Sequence, residues 1–176
     1  MKTTLMVLLL VAGGTTRLTS AEPTLKSVLL GELKTTHDEQ NWFVPASKAV
    51  AGLTAEQAVW KDGKGNHSIA ELVSHLVFWN ESNLAKFKGE KPPAFSGRND
   101  DTFVMISDKA SWDAAVRRLN DVLTGLEKVV EAADDKQIAS WSATIANIST
   151  HNAYHTGQII YVRKLQGSWD PEKGVK

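Results

Sequence analysis

The stretch Trp112-Asp-Ala-Ala-Val116-Arg-Arg-Leu119-Asn-Asp-Val-Leu123-Thr-Gly-Leu126-Glu-Lys-Val-Val130-Glu-Ala-Ala133 decides how this chain folds. Its residues Trp112, Val116, Leu119, Leu123, Leu126, Val130 and Ala133 are spaced alternately four and three apart, so a helix places them along one face. The opposite face carries Arg117, Arg118, Asn120, Asp121, Glu127 and Lys128 and is expected to meet water. Strand patterning is missing by comparison. No apolar alternation is sustained, and no Asn-Gly or Asp-Gly turn separates two β-branched runs.

Upstream, Gly63-Lys64-Gly65-Asn66 precedes a second helix, which Ser68 and Glu71 open as a capping box, hydroxyl and carboxylate each satisfying an orphaned backbone N–H. Ile69, Leu72, Leu76, Trp79 and Leu84 supply its apolar face. It is expected to end near Gly89, because Lys91-Pro92-Pro93 cannot continue a helix. Downstream, Ile145, Ile148, Ile159, Val162 and Leu165 predict a helix from about Thr144 to the stop at Gly167. Near the start, Leu25, Val28, Leu29 and Leu33 have helical spacing, and Pro45 either kinks or divides that helix before Gly52. Thr54 and Gln57 cap a short turn before Trp60. Four apolar-striped helices joined by short connections and one longer loop, Pro92 to Ser107, predict an all-α four-helix bundle.

The 176 residues suffice for one domain with a substantial core, and lysine plus arginine balance aspartate plus glutamate at 20 each. With no basic run to track a phosphate backbone, no nucleic acid is expected as a partner. Residues 1–21 read as a cleavable signal peptide: Met1-Lys2 is a positive start, Leu5 to Val11 an apolar run, and Leu18-Thr19-Ser20-Ala21 ends in small residues. The apolar run is shorter than the roughly 20 residues of a membrane span. An exported mature domain over 22–176, periplasmic or extracellular, is therefore expected, with no stable membrane insertion after cleavage. Losing Lys2 and Arg17 leaves it mildly acidic. The chain has no cysteine, which removes disulfides, lipidation at a leading cysteine, and thiolate ligands or nucleophiles.

His151 and His155 are four apart, so a helix projects both imidazoles from one side at a separation one metal ion can bridge. A surface histidine beside a packing one would give the same spacing. Their position in line with Ile148, Ile159 and Val162 favours the metal, because two buried imidazoles without partners cost several kcal/mol. His75, between Leu72 and Trp79 on the inward face of another helix, adds a third. His37, in Thr35-Thr36-His37-Asp38-Glu39, is expected to face solvent, the alternatives being a fourth ligand or a general base. His67 reads as a loop residue. Glu71, Asn152 and Gln158 are candidate acceptors for the second imidazole N–H, although capping for Glu71 and cross-bundle bonding for Gln158 are preferred. Trp79 and Trp112 read as core residues and Trp60 and Trp169 as flanking helix ends, while Trp42 and Trp141 are candidates for a pocket mouth.

Ser68-Ile-Ala-Glu-Leu-Val-Ser-His75-Leu-Val-Phe-Trp79, Gly89, and His151-Asn-Ala-Tyr-His155-Thr-Gly-Gln158-Ile159 together resemble the DinB superfamily, as does Gly52-Leu-Thr-Ala-Glu-Gln-Ala58. The resemblance covers nearly all of the mature chain. It implies a DinB/YfiT-like, up-up-down-down bundle in which His75, His151 and His155 hold one divalent metal ion. Three neutral imidazoles leave an open position, as in catalytic zinc sites, and zinc, nickel, iron and manganese all accept such ligands. The expected partner is a small-molecule substrate or ligand, with a homodimer as the oligomeric expectation. Relatives in the superfamily include thiol-dependent transferases, a maleylpyruvate isomerase and metal-dependent hydrolases. Export disfavours the thiol-dependent branch, because low-molecular-weight thiols are cytoplasmic reductants, so a metal-dependent hydrolase is expected first. A non-catalytic binding module and a metal-dependent transferase are the alternatives. No Gly-rich phosphate loop, Gly-x-Ser-x-Gly elbow or paired glycosidase carboxylates occur.

Overall fold

The computed structural model describes residues 22–106 and 108–174, and the expected signal peptide lies outside the described residues. Four long helices make the frame: α1 (Leu25–His37), α4 (Ile69–Phe87), α5 (Lys109–Ala132) and α6 (Asp135–Leu165). Two single turns, α2 (Ala46–Val50) and α3 (Ala55–Val59), lie between α1 and α4. No strand occurs among the described residues, and none of their helices is long and apolar enough to cross a membrane. The main contacts run from α1 to α5, α5 to α4, α4 to α6 and α6 back to α1, closing a ring around one core.

Local chemistry explains the helix ends. Ser68 Oγ accepts from the Glu71 N–H, while the Glu71 carboxylate accepts from the Ser68 N–H at 2.7 Å, the expected capping box. Thr54 and Gln57 form a second box that opens α3. Pro45 divides the chain rather than kinking a helix: α1 has ended by His37, and Pro45 stands at the N-cap of α2. Gly89 and Gly167, at φ 72° and 74°, take the left-handed conformation that ends α4 and α6 at little steric cost.

The α5 stripe packs as its spacing predicts: Trp112, Leu119, Leu123, Leu126, Val130 and Ala133 are buried and Val116 is half-buried. Burying each large side chain contributes about 1.5–3 kcal/mol. Two expectations need correction. The last long helix begins at Asp135, nine residues before Thr144, with Asp134 accepting from the Gln137 N–H as its cap. Its first turns bury Ile138 and rest Trp141 edge-on against Phe87, at 5.1 Å between ring centroids. Nor is the far side of α5 uniformly solvated, since Asn120 and Glu127 turn toward α1.

Arg163 ties α6 to the short turns. Its guanidinium is 3 % exposed and donates to the carbonyls of Ala49 (2.6 Å), Ala51 (3.1 Å) and Ser168 (2.8 Å). These bonds fix α2 and the C-terminal segment on α6, and its helical spacing alone gives no sign of them.

Candidate metal centre

The facing sides of α4 and α6 bring His75, His151 and His155 together. His151 and His155 are one turn apart on α6, and His75 meets them from α4. His151 Nε2 lies 3.1 Å from His75 Nε2 and 3.1 Å from His155 Nε2. Three imidazole nitrogens thus converge on one point, and all three ligand atoms lie within 4.8 Å of one another.

The partners of the outer nitrogens set the tautomers. Thr102 Oγ1 spends its proton on the Asn99 carbonyl at 2.6 Å, so at 2.5 Å from His75 Nδ1 it must accept. His75 therefore carries its proton on Nδ1 and presents a bare lone pair at Nε2. The same logic holds for His155, whose Nδ1 donates to Gln158 Oε1 at 2.7 Å while Gln158 Nε2 donates to Tyr154 Oη. Two lone pairs thus point at His151 Nε2, which has at most one proton to offer both. A shared cation satisfies all three nitrogens at once, so these residues fit a divalent ion.

Electrostatics favour the same state. Burial, then the neighbouring His155, His151 and His67, hold His75 down to about 3. His151 is lowered by burial and by His155, and His155 by burial, partly offset by its bond to Gln158. At neutral pH the three are uncharged, the form a metal requires.

The loop between α4 and α5 closes one side. Its 3-10 turn, Asn99–Thr102, carries the His75 acceptor, and Ser74, adjacent to His75, pins it by donating toward the Thr102 carbonyl and accepting from the Val104 N–H. Phe103 then stacks between His67 and His75, at 3.8 and 4.0 Å between centroids. His67 is indeed a loop residue, placed against the site's aromatic cover.

Of the three candidate acceptors, only Gln158 orients an imidazole, so the preference for cross-bundle bonding is corrected. Glu71 serves the cap and Lys61, and Asn152 pairs with Asn80. Thr102 escaped sequence reading because its loop shows no periodicity, and its role depends on a contact 27 residues away in sequence. The two tryptophans suggested for the pocket mouth are elsewhere: Trp42 is 97 % exposed beyond α1, and Trp141 packs on Phe87. Trp79 is half-buried and donates its indole N–H to Asn99 Oδ1 at 3.2 Å.

His37 is not at the surface. It is 4 % exposed between α1 and α5, with Nδ1 2.7 Å from Glu127 Oε1 and Nε2 3.3 Å from Asn120 Oδ1. Asn120 Nδ2 donates to the Val116 carbonyl, which turns its oxygen toward His37. Both ring nitrogens face acceptors, the environment of an imidazolium. Burial pulls its pKa down, but the bond to and charge of Glu127, with Asp38 and Asn120, outweigh it and leave the pKa raised. His37, Asp38 and Glu127 are close enough to share an ion, but the short Nδ1–Glu127 contact is accounted for by a proton.

Neutral histidines from two facing helices define the class to which fold and site point, a four-helix bundle whose core holds a three-histidine cluster that could take a metal ion. The family model described as the DinB superfamily matches residues 45–159, including all three histidines, and the chain belongs to that superfamily. Neither a curated protein nor a solved structure matches the chain.

Proposed function

We propose that the protein is an exported metal-dependent hydrolase in which His75, His151 and His155 hold one divalent ion. The observation that carries the reading is the convergence of three imidazole nitrogens, with the outer N–H groups of His75 and His155 already committed to Thr102 and Gln158. Held by neutral ligands alone, such an ion keeps its full charge, acidifies bound water towards neutrality and polarises a substrate oxygen.

The chain's residues divide the remaining work. Thr102 and Gln158 fix the orientation of two ligands, and Phe103 covers the His75 ring. No carboxylate belongs to the three-histidine cluster, so nothing in it offsets the cation's charge toward a substrate. Hydrolysis also suits a chain without a thiol of its own, since it needs only water. Export rests on residues 1–21, and N-terminal sequencing of native protein is expected to find a start near Glu22.

The test is elemental analysis of protein from its native compartment, followed by an ester, amide and lactone screen of metal-loaded and metal-free forms. Turnover that requires the ion and disappears in His151→Ala is the expected result. Stoichiometric metal without turnover in any class would overturn the hydrolase and leave a binding module.

A further inference from the structure

His151 is the least buried of the three ligands, and it alone of them lines a described groove. That groove, of about 330 Å³, runs between α4 and α6, with Trp79, Asn80 and Asn83 on one side and Thr144, Asn147 and Ile148 on the other. Asn99, from the turn that carries Thr102, closes one edge. No aspartate, glutamate, lysine or arginine lines it, and His151 is its one titratable group.

Its amides fall into two sets. Asn80 is 1 % exposed and fully engaged, donating to the Leu76 carbonyl and to Asn152 Oδ1 and accepting from Asn152 Nδ2. Asn99 accepts from the Trp79 indole, which fixes the ring at the groove. By contrast, Asn83, Asn147 and Thr144 make no side-chain hydrogen bond to the described protein. Each is a neutral donor and acceptor at once, so together they match a ligand with the same paired character. Away from the ion, the lining offers a charged ligand group no counter-charge.

We propose that this groove is the substrate cleft of the metal centre and that it holds an uncharged, hydrogen-bonding portion of the substrate, a carboxamide or a polyol. The inference rests on the hydrolase reading for the word substrate, but its binding chemistry stands on the groove alone. A second groove, lined by Lys61, Asp62, His67 and Gln158, carries charges of both signs, and reaches the centre only through the partner of His155. Direct access to a ligand favours the amide-lined one.

The test uses the full mature chain, metal-free, labelled with 15N, and titrated with propionamide, glycerol, propionate and propylammonium while the Trp79 indole and the Asn83 and Asn147 side-chain signals are followed. One or both neutral probes are expected to move these signals, and which one does so separates amide from polyol. The charged isosteres should bind about five-fold more weakly or worse, the loss of roughly one well-formed hydrogen bond. Asn83→Asp with Asn147→Asp is expected to reverse the order in favour of propylammonium, and because neither side chain has a protein partner the fold is kept. Preference for a charged probe in the native chain, or shifts confined to the Lys61 and His67 groove, would overturn the proposal. Metal stoichiometry and turnover are not read here, so failure of the hydrolase would be seen separately.

Discussion

His75 and His37 are buried to almost the same degree, 2 % and 4 % exposed, yet their surroundings shift their pKa values in opposite directions. At His75 one ring nitrogen meets a hydroxyl acceptor and the other meets two further imidazoles, so the ring is neutral and its free lone pair is offered inward. At His37 a carboxylate and an amide oxygen face both nitrogens, and they favour the doubly protonated ring. Burial by itself therefore predicts neither charge nor role. The acceptors around the ring decide: one leaves a nitrogen free for a metal, and two favour a cation that clamps α1 to α5.

Removing the carboxylate from the clamp should be the most costly test of this contrast. Glu127→Ala leaves a buried imidazolium without its counter-ion, and urea melts near pH 6 are expected to show a loss of about 3 kcal/mol. A loss below about 0.5 kcal/mol would mean that His37 is neutral in the wild type. At the centre, Thr102→Val removes the acceptor that orients His75. Metal affinity should drop about 10–100-fold, as when the hydrogen-bond partner of a metal-bound histidine is lost, while the metal-free fold loses about 1–3 kcal/mol for the buried His75 N–H left without an acceptor. An unchanged affinity would show that Phe103 packing alone orients the ring.

The smallest expected effect is in pH dependence. The folded-state pKa of His37 is raised, so its contribution to stability is complete below the unfolded value near 6.5 and fades as pH rises through the folded value. The stability difference between wild type and His37→Gln, measured in chelator so that metal plays no part, should accordingly shrink as pH rises above about 6.5. A difference that grows with pH would reverse the assignment.

What the sequence made legible follows from how local each feature is. The α4 cap, the α5 stripe and the four-residue step between His151 and His155 are short-range patterns, and all appear as read. The turns of α6 before Thr144 have only Ile138 and Trp141 as large apolar markers, too few to show a stripe, although Asp134 and Gln137 carry a capping pattern. His37 was misplaced because its neighbours Thr35, Thr36, Asp38 and Glu39 are polar. Its burial is set by Asn120 and Glu127, two turns apart on α5, a helix that packs on both α4 and α1 and so buries more than one stripe. Thr102 lies in an aperiodic loop whose position depends on Ser74, which no local pattern announces.

The most direct test of the central claim is a calorimetric zinc titration of metal-free protein, with thermal unfolding followed in parallel. Wild type and His37→Ala are expected to bind one ion per chain and to gain thermal stability with it, because an ion that binds only the folded state stabilises that state. The His75→Ala, His151→Ala, His155→Ala triple variant should bind no stoichiometric ion and gain nothing. Stoichiometric zinc with metal-dependent stability in the triple variant would contradict the account, and its loss in His37→Ala would place the ion at the other cluster.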